Sequence, residues 1–129
     1  LLDRIDLHIE VESIPAEELA STGDEEASAA IRARVEAARS VQRDRYRDQR
    51  IACNARLDAR TLGENCPMTP EAKRLLRDAS EAMGFSNRAY TRVVKVARTI
   101  ADLAGGGEIT REHVAEAVQY RALDRKYWG

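Results

Sequence analysis

Two arginines stand where their charge could do chemistry. Arg88 lies in the stretch FSNRAYTRVVKVARTIADLAGGG, two residues after Ser86. Ser86 is a helix N-cap by type and position, which puts Arg88 at the second helical residue. A cation there faces the positive end of the helix dipole, at a cost of about 0.3–1 kcal/mol. The placement makes sense where an anion is bound, because the free N–H groups and the dipole of a helix N-terminus already favour phosphate. Arg92 and Lys95 continue the same polar face. The alternative is an arginine that is merely solvated. Arg4 raises the second query. It stands between Asp3 and Asp6, where a helix-like LLDR runs into an alternating segment.

Other chemistry is sparse. The chain has no GxxxxGK[ST] phosphate loop, no GxGxxG and no HExxH. His8 and His113 show no ligand spacing, and Cys53 and Cys66 form no CxxC. A zinc site needs more ligands than these residues offer, so no metal is expected. Cys66, just before Pro67, reads as a packing residue at a helix start. Arg32, Arg39, Arg43 and Arg50 share an azimuth and form a basic ridge, interleaved with Glu36 and Asp44. From spacing alone the chain is not a self-contained enzyme.

The totals place these residues in one domain. The sequence has 129 residues, 43% of them apolar, with 21 basic against 22 acidic side chains and a net charge of −1. That balance gives no global pull toward nucleic acid or membrane. The most apolar run, Val93–Ala104, is too short and too polar to span a bilayer. No secretory leader pattern is present, and two cysteines make no disulfide scaffold, so a reduced cytoplasmic protein is expected. The first residue is Leu rather than Met, so the chain is expected to be either processed or a piece of something longer.

Elements must then hold the two arginines in place. Ile5, Leu7, Ile9 and Val11 alternate with Asp6, His8 and Glu10, the period of a strand with one buried face. Nothing later in the chain reads as its partner strand. Residues 1–15 are therefore assigned to that strand and 16–27 to an acidic linker. Residues 28–125 form the helical part, and 126–129 a tail. A first helix runs from about 27 to 47 with Ile31, Val35, Ala38 and Val41 near one face. Asp58 caps a short helix ending near Gly63. Thr69 and Pro70 open a helix that Gly84 stops, with Leu75, Leu76, Ala79 and Met83 as its stripe. The helix after Ser86 buries Val93, Val96, Ala97, Ile100, Leu103 and Ala104, and Gly105–Gly107 end it. A last helix follows Thr110, with Val114, Ala117, Val118 and the stem of Arg121 along one side. Residues 44–50, DRYRDQR, carry more charge than a core-facing segment should. The expected architecture is mainly α: a helical bundle preceded by one orphan β-strand.

Several stretches together resemble one family. LLDRIDLHIEV at 1–11 resembles the segment that carries the arginine finger in the magnesium-chelatase and helicase branch of AAA+ ATPases. SNRAYTRVVKVARTIADLAGGGEITREHVAEAV at 86–118 is similar to the helical lid of that branch. With NARL at 54–57, CPMTPEA at 66–72 and HVAEAVQYRALDR at 113–125, the resemblance is to the ComM/YifB-type, magnesium-chelatase-like family. It implies an AAA+ lid after the final strand of an ATPase core, in a protein that forms a ring, expected to be hexameric. It implies Arg4 as an arginine finger acting in trans on a neighbouring subunit's nucleotide, and Arg88 as the sensor 2 residue acting in cis. ATP and magnesium would belong to the longer protein, whose upstream core would supply the phosphate loop, and DNA would be its partner in branch migration. No cofactor is expected in this piece alone, nor any membrane partner. Two alternatives stand beside it: the lid of a chelatase- or MoxR-type chaperone that remodels protein, and a free-standing nucleic-acid module using the Arg32/Arg39/Arg43/Arg50 ridge. In the piece alone, Ile5, Leu7, Ile9 and Val11 lose their cover and pair with the chain's own residues, a second copy or nothing ordered.

Overall fold

The computed structural model describes residues 4–9 and 26–121. The linker at 16–25, the remainder of the expected strand and the tail beyond 121 lie outside the described residues. Five α-helices fill the rest: α1 (Ser28–Arg45), α2 (Ala59–Asn65), α3 (Pro70–Met83), α4 (Asn87–Leu103) and α5 (Arg111–Gln119), with a 3-10 turn at Asn54–Arg56. The mainly α bundle is as expected.

Local chemistry sets the boundaries. Asp58 accepts from the Thr61 N–H at 2.8 Å, and the Asp58 N–H donates to Thr61 Oγ1 at 2.9 Å, a reciprocal cap on α2. Thr69 Oγ1 accepts from the Ala72 N–H at 3.1 Å at the start of α3, and Pro70 occupies the first turn, where its missing N–H costs nothing. Gly84 ends α3 at φ 62°, the left-handed conformation that glycine adopts without a Cβ clash. Ser86 Oγ accepts from the Ala89 N–H at 3.1 Å and opens α4.

Helix α4 is the axis of the bundle. Helices α5, α1 and α2 and the 3-10 turn all pack on it, and α5 packs on α3 as well. Leu76, Val93, Ala97, Ala101, Ile109, Val114 and Ala117 form the core with Leu57, Tyr46 and Cys66. Each large aliphatic side chain buried there contributes about 1.5–3 kcal/mol. Among the described residues one isolated parallel bridge joins Met68 and Ile109, so the loops entering α3 and α5 are tied together: Thr69 N–H to Ile109 O at 3.0 Å and Ile109 N–H to Pro67 O at 2.8 Å.

Three faces differ from the sequence expectation. On α1, Ile31 and Val35 are exposed (44% and 47%), and burial starts only at Ala38 and Gln42. The bundle meets only the second half of that helix. On α4, Leu103 (49% exposed) and Ala104 turn outward, and Arg98 and Asp102 take the buried stripe with Val94, Ala97 and Ala101. The charged side chains hold that stripe because they satisfy one another, described below. At the end of α5 the whole of Arg121, not only its stem, is buried (0% exposed).

Candidate functional site

Arg88 is where its N-cap predicted. It is the second residue of α4, solvent-exposed, in a first turn that contains no acidic residue. It makes no ion pair among the described residues. With Asn87, Thr91, Arg92 and Lys95 it lines a shallow groove of about 280 Å³. The other two cations of this face are engaged. Lys95 Nζ donates to the Ala55 carbonyl at 3.2 Å, and Arg92 pairs with Asp6. The free guanidinium of the face is thus Arg88.

Arg4 is exposed at the edge of the described residues. Residues 5–9 that follow it form no ladder among the described residues; they lie along the α4–α5 side of the bundle. Leu7, Ile9 and Asp6 border a groove of about 340 Å³ with Val96, Ile100, Leu103 and Tyr120. Ile5, Leu7 and Ile9 remain exposed (45%, 45% and 66%), while His8, expected on the polar face, is buried (6%). The apolar face of this segment is therefore turned outward. Arg92 and Lys95 line both grooves, so the Arg88 face and the segment carrying Arg4 adjoin.

His113 and Cys66 have structural places. His113 Nδ1 accepts from the Thr110 N–H at 3.0 Å and caps α5. Cys66 is buried in the core, and burial pushes its thiol up to about 11. Burial also pushes the Cys53 thiol up, but the Ala55 N–H and the Arg39 guanidinium outweigh it and hold that thiol below its ordinary value. Among the described residues no group of three or more His, Cys, Asp or Glu could hold a metal ion, and no helix is long and apolar enough to cross a membrane. Arg32, Arg39, Arg43 and Arg50 are all exposed.

A buried polar cluster around Asp102, toward the C-terminal end of α4, was not foreseen. Asp102 accepts from the two terminal guanidinium nitrogens of Arg45, Nη2 and Nη1, at 2.5 and 3.0 Å, and from Asn54 Nδ2 at 2.8 Å. Arg98, one helical turn earlier, lies 3.3 Å from Asp102 and donates to the Gly107 carbonyl at 2.6 Å. Tyr46 donates to Asn54 Oδ1 at 2.5 Å, the Asn54 N–H donates to Gln42 at 3.0 Å, and Asn54 Nδ2 also reaches Thr99 at 3.0 Å. The hydrogen bond to Asp102 raises the Arg45 pKa, whereas burial followed by the nearby Arg45 charge lowers that of Arg98. Burial raises the Tyr46 hydroxyl. One carboxylate thus pins α1, the 3-10 turn and α4 together. The signal was the Arg98/Asp102 pair four residues apart, in register with Val94, Ala97 and Ala101.

Residues 25–121 match the family described as magnesium chelatase, subunit ChlI C-terminal. This chain belongs to that family. The domain is of the ComM/YifB type: it is 41% identical over 96% of its length to competence protein ComM of Haemophilus influenzae, and 42% identical over 96% to the protein YifB of Salmonella typhimurium. A protein of Mycobacterium bovis, Mb2921c, is 31% identical over 94% of the chain. The chain spans about a quarter of the length of these curated relatives, 24% in each case.

Proposed function

We propose that this ChlI C-terminal-type domain is the nucleotide-sensing lid of an AAA+ ATPase that works as a ring motor on DNA, Arg88 acting in cis and Arg4 in trans. The observation that carries the reading is Arg88 itself. It is the uncommitted cation on a face whose other two cations are engaged, at the N-terminal turn of the helix on which the bundle is built. Free helix N–H groups, the dipole and a guanidinium converge there on one ligand chemistry, a phosphate. In phosphoryl transfer, negative charge spreads over the oxygens of the transferred group, and a planar, permanently charged guanidinium stabilises it well. Because Arg88 rides on α4, its distance from the phosphates follows the closure of the lid. The phosphate loop and the magnesium ligands would belong to the upstream core. The similarity to competence protein ComM of Haemophilus influenzae is in line with DNA as the partner.

The test is steady-state ATP hydrolysis by the full-length protein. Arg4→Ala is expected to lower turnover by about 10³-fold, the lower range for a lost arginine finger. Arg88→Ala is expected to lower it too, with partial retention in Arg88→Lys, which keeps the charge but loses the planar fork. Near-normal turnover in both alanine variants overturns the assignment. Stimulation by duplex or branched DNA supports the DNA motor; a rate indifferent to DNA favours a chaperone acting on protein.

A further inference from the structure

Polar contacts among the described residues hold the short segment that follows Arg4. Asp6 pairs with Arg92 of α4. The guanidinium of Arg121 donates to the Ile5 carbonyl. The His8 N–H donates to the Tyr120 carbonyl at 2.7 Å. Hydrophobic burial explains this docking only in part, since Ile5, Leu7 and Ile9 keep 45%, 45% and 66% of their surface exposed at the edge of the apolar groove. The rest of the attachment is polar and directional, the kind of contact that fixes a register more than it adds stability. Its placement is pointed. Arg92 stands four residues, one helical turn, after Arg88, and Asp6 stands two residues after Arg4.

Resting on the nucleotide-sensing reading above, we infer that Arg92 and Arg121 are positioning residues: Arg92 latches the segment carrying Arg4 to the helix carrying Arg88, and Arg121, just past α5, holds the same segment through the Ile5 carbonyl. Arg88 faces the chain's own nucleotide and Arg4 the neighbour's. A latch between them makes the two arginines move as one body. Closure on one nucleotide then shifts the finger presented to the next, so neighbouring sites in a ring are coupled through a single chain. Without the latch, each arginine keeps its charge and its contact chemistry but loses the other's position.

The experiment uses the full-length protein with Asp6→Asn, Arg92→Gln and the reversed pair Asp6→Arg/Arg92→Asp. Hydrogen exchange at the amides of residues 5–9 reads the latch directly, and faster exchange is expected in both single variants. ATP kinetics read its consequence. Each single variant is expected to lose about 10- to 100-fold in kcat, as for a misplaced catalytic group, with little change in KM and with loss of cooperativity in ATP. The reversed pair is expected to recover most of the turnover, which a purely local role for either residue would not produce. Unchanged exchange in the single variants overturns the latch. Where Arg4→Ala and Arg88→Ala do lower turnover, so does faster exchange with normal turnover and cooperativity, or a reversed pair no better than the singles. The exchange readout is independent of nucleotide chemistry. Faster exchange in Asp6→Asn supports the latch even where Arg4→Ala and Arg88→Ala leave turnover unchanged, the result that overturns the nucleotide-sensing reading alone.

Discussion

Replacing Asp102 by alanine removes the carboxylate shared by two guanidinium groups. The side chain of Asp102 is fully buried (0% exposed), that of Arg98 nearly so (2%), and that of Arg45 is 17% exposed. Truncation leaves Arg98 charged in the core, with two backbone carbonyls as its remaining acceptors, those of Asn65 and Gly107. It also strips one acceptor from Asn54, which keeps its bond to Thr99. Breaking a buried pair by deleting one partner costs about 3–5 kcal/mol. A domain of this kind has a total of about 5–15 kcal/mol. With a urea slope of about 1–3 kcal/mol per molar, the midpoint should fall by about 2 M. Urea unfolding at neutral pH, followed by far-ultraviolet circular dichroism, measures it. Arg45→Met is the control. It should cost much less, because Arg45 is partly solvated and its loss leaves Arg98 and Asp102 neutralising each other. A loss of less than about 1 kcal/mol in Asp102→Ala, or an equal loss in Arg45→Met, would refute the argument that burial of the second charge sets the cost.

Two further outcomes follow from the backbone and the thiols. Gly106 sits at φ 93°, and a Cβ there would meet Val41 Cγ1 at 3.2 Å, so Gly106→Ala should destabilise by about 1–3 kcal/mol in the same urea assay. Gly63→Ala, with open space around its Cβ position, should not. Cys66 keeps its proton in the folded state up to about pH 11, whereas the unfolded chain loses it near the ordinary value of 9.0. Between those values the unfolded state binds fewer protons, so stability from this group is intact below pH 9 and falls as pH rises toward 11. Cys66→Ser, which does not titrate there, should show a shallower decline. A thiol reagent at pH 8 should label Cys53 first and reach Cys66 only on unfolding.

Much of the helical layout was legible because its signals are local. Thr69, Pro70, Gly84, Ser86 and Thr110 mark ends of helices through contacts spanning three or four residues, and a one-dimensional reading captures such contacts. Arg88 was legible for the same reason, since its place relative to Ser86 sets its relation to the helix dipole. The charged stretch 44–50 looked unsuited to a core and turned out to supply Arg45 and Tyr46 to the buried cluster. That use depends on Asp102, 57 residues away from Arg45, and on Asn54. The Arg98/Asp102 spacing in α4 marks one side of it, but no periodicity in α1 announces Arg45 as the partner. The same limit applied to α1, whose apolar face continues through Ile31 and Val35 although nothing in the described bundle covers it.

The sequence by itself determined where the helices start and stop, that no phosphate loop accompanies the two arginines, and which arginine sits at a helix N-terminus. Those properties reside in residue types and spacings of a few positions. Tertiary structure alone decided which cations are engaged and which is uncommitted. Arg92 goes to Asp6, Lys95 to Ala55, Arg45 and Arg98 to Asp102, and Arg88 is left open to solvent. The physical reason is that a charge finds its partner by distance through space, and the three-dimensional packing of α4 sets those distances.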